Sequence, residues 1–452
     1  MPSAARSAVA PLYLFACLIL GGSAQGIWQN MLLQLIGLAI VAWAAAAPAE
    51  EPLPAPAAPL FALALAAVAL VALQQVPVPS SIWAHGIRAR VGEGYGLLGH
   101  AVPWQPLSLT PYESLSSLLA LIPPAALFCA IVRLRAYRAS WLAAALLAAA
   151  FAGIMLGALQ VASNGAKSAW YLYAETNFGV AVGFFANANH MADLLVISLP
   201  FLAAIAAAGR SRSIQRYSAL LAILAAGALV VVVGIALNGS LAGYFLAIPV
   251  IAASALIVAP PSRTLRRLLG VLAALSVAAS IAVLATSSIR SSGIGQDAST
   301  SVQSREQILA TTRKAIRDTM PLGSGLGSFV KVYRLYESPD AVTNEYVVHA
   351  HNDYAELALE LGLPGILLIL AFLWWWAAAV QAAWRMPAGS AYARAASIAS
   401  AAVLIHSLVD FPLRTAAISA CFAMCMALLA DRRLPQREEP DELRPARHLV
   451  VT

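Results

Sequence analysis

The chain has 452 residues, of which 61% are hydrophobic and 11% charged, with a net charge of +7 and four cysteines, and its mean hydropathy is +0.77. A soluble domain is near half apolar and about a quarter charged, so this composition excludes one. The apolar residues come in uncharged blocks of roughly the 20 residues a helix needs to cross a bilayer, with none of the short alternating segments of a β-barrel, so the fold class is all-α and polytopic.

The first block has the layout of a signal peptide. Arg6 precedes Ala8–Leu20, and the small residues Gly21, Gly22, Ser23 and Ala24 follow. The many later blocks favour an uncleaved first helix. Spans are expected at Ala8–Gly22, Asn30–Ala47, Pro59–Val76, Ser114–Val132, Ser140–Gln160, Gly183–Ala208, Tyr217–Leu237, Leu241–Pro260 and Leu265–Ser288. Beyond a long polar stretch come Leu357–Val380, Ala391–Phe411 and Leu413–Leu429, which makes about twelve in all. The chain thus divides into helices 1–9 over residues 1–289, a large external loop over 290–356, helices 10–12 over 357–430, and a polar tail over 431–452 expected to be disordered. Within the first part, Pro77–Pro111 carries Trp83, Tyr95 and Trp104, with Tyr112 just beyond, and suits a segment lying at the membrane interface.

The basic residues give orientation rather than a nucleic-acid surface. Arg133, Arg135 and Arg138, then Arg210, Arg212 and Arg216, then Arg263, Arg266 and Arg267, then Arg385 and Arg394, and finally Arg432 and Arg433 fall in alternate connections, all on one side of the spans. The opposite connections hold almost no basic residue, with only Lys167 in Val161–Val180. This is the positive-inside pattern, with both termini on the basic, cytoplasmic side. Cys17, Cys129, Cys421 and Cys425 lie inside apolar blocks with no ligand spacing, and read as small hydrophobes.

The external loop carries the chemistry. Ser304 and Gln307 have capping-box spacing, with Ile308, Leu309, Thr312 and Ile316 as an apolar stripe, which predicts a helix. Arg313 and Arg317, at i,i+4, share a face, with Arg305 two turns before Arg313. Guanidinium forks there suit a pyrophosphate, and a solvated basic face at the bilayer surface fits the same spacing. Pro321–Phe329, PLGSGLGSF, lacks the lysine of a P-loop. Its glycines suit either close backbone approach to a ligand or a helix-ending turn.

His349–Glu356, HAHNDYAE, is the densest polar cluster. Asp353 and Glu356 are spaced as a helix cap. The histidines suit a general base near neutral pH, and zinc is the rival use of His-x-His. Polar groups also interrupt the spans at Asn187, Asn189, His190 and Asp193, and at His406, Asp410 and Arg414. Asp410 and Arg414, at i,i+4, are expected to neutralise each other.

The segment His349–Gly365, HAHNDYAELALELGLPG, resembles the signature of the O-antigen ligase and polymerase superfamily. The order around it agrees: GFFANANHMADLL at Gly183–Leu195, an arginine ahead of the glycine-rich segment, and HSLVDFPLR at His406–Arg414. The resemblance implies a GT-C-type membrane glycosyltransferase of the bacterial inner membrane. Such an enzyme moves a glycan from undecaprenyl pyrophosphate to an acceptor hydroxyl at the periplasmic face, inverting the anomeric carbon without metal or other cofactor. Its partners would be the undecaprenyl-pyrophosphate-linked glycan, a lipid A-core or glycan acceptor and the lipid bilayer, with no nucleic acid.

Carried over by position, His351 would be the base that activates the acceptor, with His349 beside it, and Arg305 would bind pyrophosphate. Asn352, Glu356, Asn187 and Asn189 would support the site or bind substrate. Family members usually carry an arginine after the Ser/Thr that opens the eighth span, whereas here Leu241 follows Ser240. Arg313, Arg317 or Arg414 is expected to replace it. Ligation to lipid A-core is the preferred reading. Polymerisation of repeat units and protein O-glycosylation use another acceptor, and a secondary transporter is the rival from a different class.

Overall fold

The computed structural model describes residues 4–48, 52–163, 165, 168–259, 262–285, 296–339, 342, 346–385 and 390–431, with backbone alone for 211, 280–285 and 296–304. In chain order the helices begin with α1 (Ala4–Leu20), α2 (Ile27–Ala46) and α3 (Ala57–Gln74). A two-residue pairing of β1 (Pro77–Val78) with β2 (Gln105–Pro106) encloses α4 (Ser80–Trp83) and α5 (Ile87–Leu97). Then come α6 (Pro111–Leu119), α7 (Ile122–Val132), α8 (Ala139–Ala162), α9 (Ala188–Ala208), α10 (Ile214–Asn238), α11 (Leu241–Val258) and α12 (Arg263–Ala285). The last group is α13 (Gln296–Thr319), α14 (Phe329–Tyr333), α15 (Asp353–Arg385), α16 (Ala391–His406) and α17 (Ala416–Ala430).

The protein is a polytopic all-α membrane protein. Among the described residues, 8 helices are long and apolar enough to cross a membrane: α2, α3, α6 joined to α7, α8, α9, α10, α11 and α15. Where the sequence predicts four further spans, the helices are α1, α12, α16 and α17, which are not among those 8. The expected tail from residue 432 onward, with Arg432 and Arg433, lies outside the described residues, as do Lys167 and Arg290.

Several elements differ from expectation for local reasons. The span expected from Ser114 starts at Pro111 and breaks between Leu119 and Ile122, before the pair Pro123-Pro124. The span expected from Gly183 starts at Ala188, because the Asn187 side chain caps the helix by accepting from Asn189 N. The external helix starts at Gln296, so Ser304 lies within it and opens no capping box. Trp83 turns inward, donating to Pro106 O at 2.7 Å, while Trp104 and Tyr112 stay exposed.

Helix α9 is the central post, buried along most of its length and packed against α8, α10, α11 and α16. At the end of the bundle away from the long loop, arginines bind carbonyls at or just past helix ends. Arg133 donates to Ala47 O at 2.6 Å, Arg6 to Leu134 O at 3.0 Å, and Arg210 to Val258 O.

At the loop end, α15 breaks. Gly362 is non-helical (φ 62°, ψ −151°) and Pro364 has no N–H to give back to Glu360 O. In an apolar bundle such freed carbonyls need partners from the protein itself. The glycine-rich segment supplies them. Ser324 N donates to Leu359 O at 2.9 Å, Gly325 N to Glu360 O at 2.8 Å, and Leu363 N donates to Pro321 O at 2.8 Å. Gln74 Nε2 bridges Leu322 O and Glu360 O, both at 3.1 Å, and Arg88 donates to Gly323 O at 2.7 Å. The amides of Ser324 and Gly325 that suited a ligand are therefore spent on a broken helix. A Cβ at Gly323 (φ +75°) would lie 2.4 Å from Glu360 O. Gly323→Ala is expected to lower stability by about 1–3 kcal/mol. Gly270→Ala, with nothing within 4 Å of the new Cβ, should not. Thermal unfolding in detergent compares the two.

Candidate active site at the loop end

The site is built around one carboxylate. Helix α16 ends at His406, the chain turns through Ser407–Phe411, and α17 starts at Ala416. Asp410 lies in that turn with its side chain 0% exposed. Arg305 of α13 approaches it at 3.6 Å, His351 Nδ1 at 3.3 Å and His406 Nε2 at 3.8 Å. The Asn189 amide donates to it, as does Phe411 N at 2.9 Å. Burial alone would raise the carboxyl's pKa, but His351 and the Arg305 guanidinium beside it hold it well below the usual aspartate range. Behind it, Asn189 Oδ1 accepts from Ser240 Oγ at 2.7 Å, and His406 Nδ1 meets Asp193 at 2.7 Å.

The histidine segment reaches the same point. His349 tilts over the Phe411 ring with centroids 4.2 Å apart, and His351 meets that ring edge-on at 5.0 Å. His351 has a left-handed backbone (φ 49°), which few residues adopt unforced. Bonds on both sides hold it: Ala350 N donates to Glu356 Oε2 at 2.8 Å, Asn352 Nδ2 to Leu408 O at 2.8 Å, and Asp353 N to Ser407 O at 2.9 Å.

Two expected pairings are corrected. Asn352, not Asp353, caps α15, accepting from Ala355 N at 2.8 Å. Asp353 and Glu356 turn instead to Arg414, at 3.5 and 3.3 Å, and Glu360 joins them at 3.4 Å. Asp410 and Arg414 therefore do not neutralise each other, because each has nearer partners of its own. A 3₁₀ turn over Pro412–Arg414 separates them and aims the guanidinium at α15.

Of the residues singled out in the sequence, His349, His351, Asn352, Glu356, Arg305, Asn189 and Arg414 come together here. Asn187 contributes by capping α9. Arg313 and Arg317 do not join them and lie exposed. The buried stripe of α13 runs through Ile308, Thr312, Ala315 and Thr319, which places Arg305 at its edge and leaves Arg313 and Arg317 outside it. Phe411 and Glu360 also line this site, although neither is among the site residues that the sequence predicts. Glu360 carried a signal, being an acid four residues after Glu356 inside an apolar run. His349 Nδ1 faces Glu356 at 2.9 Å while His351 faces Asp410, and among the described residues no three His, Cys, Asp or Glu side chains form a set that could hold a metal ion.

The arrangement can do acid–base work. A carboxylate on Nδ1 fixes the imidazole ring and leaves Nε2 to take a proton, while a guanidinium at the same carboxylate can face a developing anion.

A family model described as O-Antigen ligase matches residues 226–370, which span α11, α13, the glycine-rich segment and the histidine segment. This supports the resemblance to the O-antigen ligase superfamily. No curated protein matches the chain. Asp410→Asn would present an amide where Nδ1 needs an acceptor. Any turnover that depends on this base should fall by about 10²-fold or more with the protein still folded. Activity retained at the wild-type level would deny Asp410 that role.

Proposed function

We propose that this chain, whose residues 226–370 match a family model described as O-Antigen ligase, transfers a glycan from undecaprenyl pyrophosphate to a hydroxyl of lipid A-core. The observation that carries the proposal is the meeting of His351 and Arg305 on the one buried carboxylate of Asp410. His351 Nε2 takes the proton of the acceptor hydroxyl as its oxygen attacks the anomeric carbon. The bond from that carbon to the pyrophosphate oxygen breaks, and undecaprenyl pyrophosphate leaves with the electron pair. Attack opposite the leaving group inverts the carbon.

Arg305, with its side chain 29% exposed, is open enough to meet the leaving pyrophosphate. A pyrophosphate is already a good leaving group, so the second carboxylic acid of a glycoside hydrolase is not required. Leu241 sits where the family usually has an arginine, and Ser240 beside it braces Asn189 against Asp410. The step as written uses no metal. The arginines at helix ends collect at the far end of the bundle, which supports cytoplasmic termini in the inner membrane and a periplasmic site. A transporter would gather its polar groups midway along broken helices, whereas here they collect at the loop end. Polymerisation or protein glycosylation would use the same step with a different acceptor.

Purified protein given a synthetic undecaprenyl-pyrophosphate glycan and lipid A-core, in EDTA, is expected to yield glycosylated lipid A-core. Laddering of the glycan alone would instead mark a polymerase. Neither product, with no donor binding, would overturn the reading. His351→Ala should abolish transfer while membrane insertion stays intact. Arg305→Lys should weaken donor binding severely, because a point charge cannot replace the planar fork, and normal donor binding in that variant would remove the pyrophosphate role.

A further inference from the structure

Arg414 was expected from the sequence to serve as a cation for the donor, yet the fold commits it elsewhere. Its side chain is 20% exposed and has three buried carboxylates within 3.5 Å, from Asp353, Glu356 and Glu360 on successive turns of α15. One of them is a hub. Glu356 offers Oε1 to both Arg414 and His349 Nδ1 (2.9 Å), and Oε2 to Ala350 N at 2.8 Å. Ala350 immediately precedes His351, the residue with the left-handed backbone. A chain of contacts therefore runs from Arg414 through Glu356 to the amide beside the base. A carboxylate this buried stays in place only where opposite charge and donors compensate it, and Arg414 is the cation shared by all three.

We infer that Arg414 is a positioning residue, not a donor ligand: through Glu356 it holds the Ala350–His351 backbone in the shape that presents the imidazole to the acceptor. The inference rests on the transferase reading above and gives Arg414 a role in it. It separates two behaviours. A donor ligand, when removed, weakens donor binding. A positioning residue leaves donor binding alone and slows the chemical step, since a base displaced by about 1 Å can cost 10²-fold.

The experiment uses the full chain in nanodiscs, with synthetic undecaprenyl-pyrophosphate glycan as donor and lipid A-core as acceptor, and measures donor Kd, donor KM and kcat. The variants are Arg414→Gln, Arg414→Lys, Glu356→Gln and the double variant Arg414→Gln/Glu356→Gln, each checked by thermal unfolding. Arg414→Gln and Glu356→Gln are each expected to lower kcat by about 10²-fold with donor Kd within about twofold of wild type. The double variant should lose no more than the worse single one, because both act through one contact chain. Arg414→Lys keeps the charge and should recover part of kcat.

If Arg414→Gln does not fold, Arg414→Lys and Glu356→Gln carry the test through the same split between kcat and Kd. A tenfold or greater rise in donor Kd with kcat preserved in the Arg414 variants would overturn the inference and return Arg414 to the donor site. Unchanged kinetics, or losses that add in full, would overturn it as well. A wild-type chain that neither binds donor nor transfers glycan would overturn the transferase reading beneath it, an outcome told apart because the unsubstituted protein itself is silent.

Discussion

A helix that breaks inside an apolar bundle exposes carbonyls that lipid cannot satisfy, and the break in α15 at Gly362–Pro364 imposes that demand here. The answer ties distant segments together. The Pro321–Gly325 backbone docks onto Leu359, Glu360 and Leu363, while Gln74 from α3 and Arg88 from α5 lock the same backbone from the other side. Because that segment follows α13 directly, the docking registers α13 against α15. Thr319 at the end of α13 also reaches the freed Leu359 carbonyl, at 3.5 Å. The register carries Arg305 to Asp410, and the N-terminal turns of α15 then face Arg414.

Charge is sorted into two compartments at this end of the bundle. In one, Asp410 gathers Arg305, His351 and His406, and His406 in turn meets Asp193. In the other, Arg414 serves three acids of α15, and His349 joins through Glu356. Phe411 is the partition. Its ring meets His349, His351 and also His190, at 4.2, 5.0 and 5.2 Å between centroids. The imidazoles share an apolar wall, while the Nδ1 atoms of His349 and His351 turn to different carboxylates, Glu356 and Asp410. Desolvation at such a site strengthens each pairing, and equally penalises any group left without one.

How much of this could be read from the sequence follows from the range of each interaction. The helices were legible because apolar length is local, and the histidine segment because its polar density interrupts that pattern. Arg305 stood out through its place in a recognised order of motifs. The spacing of Arg313 and Arg317 told correctly that they share a face but not that the face is outward, since that depends on which side of α13 meets α15. Asp353 and Glu356 have capping spacing, but the cation that claims them lies far along the chain at Arg414, and only the turn at Pro412–Arg414 brings it there. The glycine-rich segment suggested a ligand cradle because its real partner, the kink in α15, is a property of backbone geometry that no residue type announces.

The left-handed backbone of His351 has a bearing on how its chemistry can be isolated. Histidine, asparagine and aspartate enter that conformation more readily than most residues, whereas alanine pays for it. The position asks for two separable qualities, a backbone shape and a basic ring. Asparagine can meet the first without the second. His351→Asn is thus a candidate trap, a protein that keeps the bend of the loop, lacks the base, and holds its donor long enough for the complex to be seen.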